Sequence, residues 1–382
     1  MSKPVAVANY AWVLPGDLTW ENLLAGVSAV RSLPVDFPVK VGAPFSGNVT
    51  VPPEWGHANM PRAIGLAWEA FSRLDAQMGP KPGLVLGLPN YNSEEIYLEK
   101  ACKQGLDSAA MATLSAYHGD AALAFFAERI PGCGPRIRVD SACATGNESL
   151  IVAHQWLASG VITDCIVLAA SAMLSPVGLA LFKNLKALST LDSLDASCPF
   201  DARRRGFVMG EGAAAFWLTT RQKVHHRAYI IGYGHRLVAE NFIDLPEDLR
   251  GMREACTEAL GNHSEVAYVC AHGTGTQLND LRETELHRAL FGKKAQGIPL
   301  SSVKSMIGHT LGAAALINAG VCVSALENQM APPTINHSVP DPNCDLNYVP
   351  NTSQSIKGSL ALSNAFAFGG QHTSVLFAKD VA

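Results

Sequence analysis

Cys143 stands in the string Val139-Asp140-Ser141-Ala142-Cys143-Ala144-Thr145-Gly146, where an apolar run from Ile137 to Val139 meets small residues and then a helical pattern. A thiol at the first turn of a helix feels the partial positive charge of unpaired N–H groups, which favours thiolate over thiol. The position therefore predicts a depressed pKa and a nucleophile whose small neighbours leave room for a carbonyl. A buried cysteine is otherwise commonly a small core hydrophobe, so the weight falls on two further segments. Val269-Cys270-Ala271-His272-Gly273-Thr274-Gly275-Thr276 sets a histidine just after an apolar strand and before a Gly/Thr loop. Ser301-Ser302-Val303-Lys304-Ser305-Met306-Ile307-Gly308-His309 sets Lys304 and a second histidine ahead of a helix of small residues. Both read as strand-to-helix corners, where open α/β sheets hold ligands and catalytic groups. A cysteine and two histidines far apart in sequence, each at such a corner, suggest a site assembled in space.

The elements that must position them alternate. Val5 to Ala8, Gly83 to Gly87, Arg136 to Val139 and Cys165 to Ala170 read as short buried strands. Trp20 to Val27, Pro61 to Met78, Ser93 to Lys103, Ala121 to Arg129 and Glu148 to Ser159 carry helical periodicity between them. The second part repeats the plan, with strands at Tyr229 to Gly232 and Val266 to Ala271 and helices at Leu249 to Leu260, Asp280 to Phe291 and Gly312 to Asn328. Ile298 to Val303 leads into the His309 corner. Such alternation implies a largely parallel sheet covered on both faces. Phe207 to Leu218 and Phe366 to Phe377 echo each other, each with a Gly turn feeding an apolar strand, which predicts two β-hairpins. A polar seam near 220–227 divides the chain into halves, 1–220 and 221–382, that share one core.

With these motifs, and with Trp20 to Gly26, Pro199-Phe200-Asp201, Gly206 to Gly212 and Ser363 to Gly370, the chain resembles a β-ketoacyl synthase, the condensing enzyme of fatty-acid and polyketide synthesis. Histidine at position 309, where initiating synthases carry asparagine, resembles the elongating branch. The resemblance implies a thiolase-type α/β fold, two similar βα halves stacked as a five-layer αβαβα sandwich. It also implies decarboxylative condensation of a Cys143-bound acyl chain with a malonyl unit. Cys143 would take the acyl group, and its N–H with that of Phe368 would form the oxyanion hole. Phe368 would double as a gate on Gly369 and Gly370. His272 and His309 would donate to the thioester oxygen as carbon dioxide leaves. Lys304 would pair with Glu283 as electrostatic support, and Thr274 and Thr276 would contact pantetheine, although a Thr-rich turn bonding its own backbone reads the same way. No cofactor is implied beyond the phosphopantetheine of the substrate's acyl carrier protein, and the partners implied are that carrier protein and a second ketosynthase-like subunit, identical or homologous. Two departures bear on the pocket: the opening strand lacks the usual Gly-X-Gly turn, and the interval from Gly234 to Leu249 is short.

Composition narrows the alternatives. At 382 residues with 48% hydrophobic and 16% charged, the chain reads as a well-buried globular protein. A net charge of −4 and dispersed tryptophans, Trp55 among them, argue against nucleic acid, and Arg203-Arg204-Arg205 is expected to make internal ion pairs or a solvated face. The nine cysteines show no C-x-x-C and no zinc spacing, which predicts free thiols and a cytoplasmic enzyme without metal. No secretory leader is read at the N-terminus, and the apolar region from Cys165 to Phe182 is broken by Ser171, Ser175, Pro176 and Gly178. His118, His154, His225, His226, His287 and His337 fall outside any motif, and His372 is assigned to the closing strand. Without transferase, reductase or carrier segments, a component of a dissociated system is expected. A non-catalytic partner subunit would typically lose the cysteine, and thiolase chemistry on coenzyme A esters would need a late cysteine, whereas Cys344 lies in a polar loop.

Overall fold

A computed structural model of the chain describes residues 4–33, 45–46, 61–89, 119–238 and 248–381. The expected helix from Ser93 to Lys103, Trp55, His118 and residues 239–247 lie outside the described residues.

The first half runs β1 (Val5–Val13), α1 (Trp20–Leu24), β2 (Val30–Arg31), β3 (Phe45–Ser46), α2 (Arg62–Ser72), β4 (Gly83–Gly87), α3 (Gly119–Arg129), β5 (Arg136–Val139), α4 (Thr145–Ala158), β6 (Asp164–Ser171), α5 (Pro176–Asn184) and β7 (Gly212–Thr219). The second runs β8 (Ala228–Leu237), α6 (Arg250–Leu260), β9 (Tyr268–Cys270), α7 (Gln277–Phe291), β10 (Leu300–Ser301), the single turn α8 (Lys304–Ile307), α9 (Ala314–Asn328), β11 (Met330–Ala331), β12 (Gln354–Ser355), β13 (Leu360–Ala367) and β14 (Gln371–Ala378).

Hydrogen bonding runs through ten strands in the order β10-β9-β13-β14-β8-β1-β7-β6-β4-β5. Read outward from the β1/β8 junction, the two sides are topological copies. In each, two antiparallel pairs (β1/β7 and β7/β6; β8/β14 and β14/β13) are followed by two parallel ones. The two sides therefore present the carboxyl ends of corresponding parallel strands to the helices α4 and α9. Those helices pack on each other and lie between the two five-stranded sides, with α2 covering the first from outside and α6 the second. This is the five-layer arrangement expected of the thiolase fold.

Local sequence explains the elements that matter. Helix α9 is buried at every residue from Ala314 to Leu326, as an all-round apolar helix must be. By length and composition the stretch Leu311–Asn328 could cross a bilayer, yet it is occupied as the inner layer of this core. Its partner α4 comes close because Gly146 has no side chain: a Cβ there would stand 2.1 Å from the backbone nitrogen of Leu316. Asn147 on α4 donates to Ser363 O at 3.3 Å, and Asn318 on α9 to Ala271 O at 3.0 Å, so each inner helix is pinned to the second side of the sheet. One core cluster draws on Val85, Leu150 and Phe216 from the first half and Tyr268, Leu316 and Phe377 from the second.

Four expectations are corrected. Strand β1 continues past Ala8 to Val13 because β7 pairs with it through Ala213. The helix beginning after Pro61 stops at Ser72, ahead of Gly79 and Pro80, and α1 stops at Leu24 before Gly26 reverses the chain with φ 71°. The hairpin forms only in the second half, where β13 meets β14. In the first half β7 already has β1 and β6 on its two edges, so Phe207 bridges to Leu188 and Met209 to His309 instead.

Candidate active site

After β5 ends at Val139, the chain turns through Ala142–Ala144 into α4. The reversal is held by Thr145, whose Oγ1 accepts from Ser141 N at 2.9 Å and donates to Ala142 O at 2.7 Å. Ala142 sits at φ 48°, a left-handed conformation that non-glycine residues rarely adopt and that clusters at functional sites. Cys143 is buried, 4% exposed. Burial pushes its thiol up to about 12, against the opposing pull of the Lys304 charge and a backbone hydrogen bond. The expected depressed pKa is thus overturned: loss of hydration for the thiolate outweighs the pull of the helix terminus.

His309 is clamped on both sides. Its N–H donates to Val208 O at 2.7 Å and its carbonyl accepts from Gly210 N at 3.0 Å. The ring Nδ1 accepts from Leu311 N at 3.3 Å, which leaves the ring proton on Nε2. His272 faces it with ring centroids 5.6 Å apart and planes at 84°. Both imidazoles are held neutral. Burial and then Lys304 press each well below the ordinary range, and for His272 the neighbours His309 and His372 add to this. Phe207 edges onto His309 and Phe366 onto His272, so each ring is wedged by an aromatic.

Lys304 and Glu283 do not pair directly; they grip the same residue from opposite ends. The Glu283 carboxylate accepts from His272 N and Gly273 N, both at 2.8 Å, while Lys304 Nζ donates to His272 O at 2.6 Å. Both are buried, which raises Glu283 to about 7 against those two N–H donors and lowers Lys304. The direct pair expected from sequence is replaced by support of the His272 peptide, an arrangement that fixes the corner carrying the ring.

Cys143, His272, His309, Thr274, Thr276, Phe207, Phe366 and Phe368 line one cavity of about 170 Å³. The turn Phe368–Gly370 abuts the Cys143 turn, and Gly369 and Gly370 take φ 77° and 72°. Behind the sulfur lies an apolar cluster including Met173, Leu179, Leu188 and Met209. The Thr274 and Thr276 hydroxyls bond each other at 2.9 Å, and Thr276 N donates to Thr274 Oγ1, so the loop does bond its own backbone while facing the cavity. Sequence reasoning missed Asn279 and Leu278 on the same wall, and Leu185 and Lys186 at its rim. The Asn-Asp step three residues after Thr276 was the only signal for Asn279.

The remaining candidates fall to structural roles. Arg203 pairs with Asp195 and Asp201, and Arg204 with Asp341, while Arg205 is exposed and bonds the Ala202 and Arg204 carbonyls. His226 bridges Tyr229 and the Arg221 carbonyl; His287 stacks on Phe291 and His337 on Tyr348. Cys165, Cys270 and Cys322 fill the core. His372 lies on β14, as assigned, and packs behind Phe366.

The chain matches the descriptions "Beta-ketoacyl synthase, N-terminal domain" over residues 67–224 and "Beta-ketoacyl synthase, C-terminal domain" over residues 230–338. It belongs to the β-ketoacyl synthase family. Among curated relatives it is 36% identical to the tetracenomycin polyketide synthase ketoacyl synthase alpha subunit of Streptomyces glaucescens, over 64% of this chain and 60% of that protein. It is 37% identical to the 3-oxoacyl-[acyl-carrier-protein] synthase 2 of Synechocystis sp., over 64% of this chain and 62% of that one. The chain thus spans 60% and 62% of the length of these two relatives. Among solved structures, a type II polyketide ketosynthase complexed with its acyl carrier protein and bound to the hexaketide superposes with TM-score 0.86 at 25% identity, covering 99% of each chain. The ishigamide ketosynthase/chain length factor does so with TM-score 0.86 at 25% identity over 100% of each chain.

Proposed function

We propose that the chain is an elongating β-ketoacyl-[acyl carrier protein] synthase of a dissociated fatty-acid or polyketide pathway. The observation that carries this is the convergence of one sulfur and two neutral imidazoles on a single cavity. In the first half-reaction Cys143 Sγ attacks the acyl thioester carbonyl and the carrier thiol leaves with the proton. The tetrahedral oxyanion would be met by the N–H groups of Cys143 and Phe368, each worth roughly 3 kcal/mol in such a hole. In the second, a malonyl thioester loses carbon dioxide and the electron pair of the broken C–C bond passes to the thioester enolate. His272 and His309 suit that step because neutral rings donate a hydrogen bond without themselves being acids strong enough to quench the carbanion. The enolate carbon then attacks the Cys143 thioester, the C–S bond breaks, and the β-ketoacyl product remains on its carrier. The 368–370 turn, free to move on its two glycines, would gate the exchange of acyl donor for malonyl donor. No cofactor enters these steps beyond the substrate's own phosphopantetheine, and a cytoplasmic location accords with the reduced thiol the first step requires.

Purified chain incubated with a panel of acyl carrier thioesters should gain the acyl mass on Cys143. The Cys143→Ala variant should gain none. A mass gain on that variant would assign the nucleophile elsewhere and sink the proposal. Working as one subunit of a pair is a second reading, supported by the "alpha subunit" relative and by the ketosynthase/chain length factor likeness. Turnover by the purified chain alone would exclude an obligatory partner subunit; acyl loading without condensation would favour one.

A further inference from the structure

Every polar group of the two peptides that flank the Cα of His272 is held by a buried side chain. In the peptide between Ala271 and His272, the N–H donates to Glu283 Oε1 at 2.8 Å and the Ala271 carbonyl accepts from Asn318 Nδ2 at 3.0 Å. In the peptide between His272 and Gly273, the N–H donates to Glu283 Oε2 at 2.8 Å and the His272 carbonyl accepts from Lys304 Nζ at 2.6 Å. Asn318, Glu283 and Lys304 are each at most 2% exposed. With both peptide planes held, φ and ψ of His272 are held too, and with them the direction in which Cβ carries the ring.

Asn318 reaches further than the other two. Its amide orientation is unambiguous, because the backbone carbonyls facing it only accept, so the NH2 must point at them. The same nitrogen lies 3.4 Å from Asn364 O, two residues before Phe366 on β13, and the Phe366 ring edges onto His272. Helix α9, which carries Asn318, follows the turn whose Leu311 N–H holds the His309 ring. One helix thus addresses both imidazoles, His309 through its ring nitrogen and His272 through its backbone. We infer that Asn318 is a positioning residue for decarboxylation, its NH2 setting the His272 ring where it meets the developing enolate oxygen. Acyl transfer to Cys143 makes no such demand. The inference deepens the synthase reading above and rests on it.

The test measures the two half-reactions separately on the purified chain. Acylation of Cys143 by an acyl carrier thioester is followed by intact mass, and decarboxylation of a malonyl carrier thioester by release of carbon dioxide. Asn318→Leu removes the donor: kcat for decarboxylation should fall roughly 10- to 100-fold with KM little changed, while acylation slows less than about threefold. Asn318→Asp keeps the shape and exchanges NH2 for oxygen. Ionised, that oxygen faces two carbonyl acceptors; protonated, as burial favours, it donates to one of them. The ratio of Asn318→Asp to wild-type decarboxylation should therefore rise as pH falls from about 8 to about 6, and the same ratio for acylation should stay level. Glu283, raised to about 7, Lys304 and the two imidazoles surround this corner in both proteins, so their titrations are common to the comparison. Equal slowing of both half-reactions, a decarboxylation ratio that stays flat with pH, or undiminished decarboxylation in both variants would overturn the role of Asn318 and leave the synthase reading intact. Should Asn318→Leu not fold, the Asn318→Asp ratio decides. A wild type that neither acylates nor decarboxylates would overturn both.

Discussion

Gly146→Ala isolates the contact on which the site depends. The added Cβ would stand 2.1 Å from Leu316 N and 2.8 Å from Leu316 Cα, both backbone atoms of a buried helix. Ordinary contact begins near 3.4 Å, so α4 and α9 must part by roughly 1.3 Å, and no flexible side-chain end can absorb the difference. Overpacking of this kind costs about 1–3 kcal/mol. Alanine returns about 1 kcal/mol of helix propensity, and because the obstruction is backbone we expect a net loss of about 2 kcal/mol. The larger effect is on chemistry. Cys143 is carried just ahead of Gly146 on one helix, and Leu311, whose N–H orients His309, lies just ahead of Leu316 on the other. Parting the helices therefore shifts sulfur against imidazole, and a misplacement of about 1 Å costs on the order of 100-fold in rate. Thermal melting and the rate of Cys143 acylation by mass measure the two effects on the same sample. Gly297→Ala, at a position with nothing within 4 Å, should change neither. A folded Gly146→Ala protein with unaltered melting and acylation rate would refute the argument that the interhelical contact sets the site.

Three other outcomes are expected. Lys304→Met removes the donor to His272 O and the charge that opposes the upward shift of Cys143; modification of the thiol by methyl methanethiolsulfonate should slow and its pH profile move to higher pH, and an unmoved profile would contradict the assignment. Glu283→Gln sets a side-chain NH2 against one of two backbone N–H groups now bonded to carboxylate oxygens; a loss of about 1–3 kcal/mol in chemical denaturation and slower malonyl decarboxylation should follow, and unchanged values would show the His272 corner to be held by other contacts. Stability should also fall on acidification. Burial depresses His287 to about 3, and burial together with His235 depresses His372 to about 4. With an unfolded imidazole near 6.5, the stability each contributes is present in full above that pH and is lost as pH falls toward the folded value, about 2 kcal/mol apiece at pH 5. Glu283, raised to about 7, runs the other way by favouring the fold from pH 7 down to about 4.5, and offsets roughly one histidine. The two cavity imidazoles of His272 and His309, also depressed, add to the loss. Denaturation curves that strengthen between pH 7 and 5 would reject this balance.

Much of the frame was legible because it rests on local pattern. β4 and β5 fall on the expected residues, but only β4 is the buried strand its apolar run between glycines predicts; β5 alternates arginine with apolar residues at the sheet edge and buries only Val139. Cys143, His272 and His309 were each placed at a strand-to-helix corner by type and position, and the structure brings all three to one cavity. What escaped depends on partners distant in sequence. The first-half hairpin failed because both edges of β7 were already taken, a fact of sheet order rather than of the segment. The direction of the Cys143 shift depends on how completely the folded chain excludes water from the sulfur, and the helix-terminus argument omits that quantity. Lys304 and Glu283 were correctly grouped, yet the His272 peptide between them is visible only in three dimensions. Asn279 carries no periodic signal, so its place on the cavity wall shows only in the fold.

The upward displacement of the Cys143 thiol has a consequence outside turnover. Peroxide and stray electrophiles attack thiolate, and a sulfur stored in its protonated form behind an aromatic-lined cavity offers them little to attack. Burial pushes Cys165, Cys198, Cys256 and Cys322 up as well, so among the described thiols the half-buried Cys133 is the one that electrophiles meet most readily.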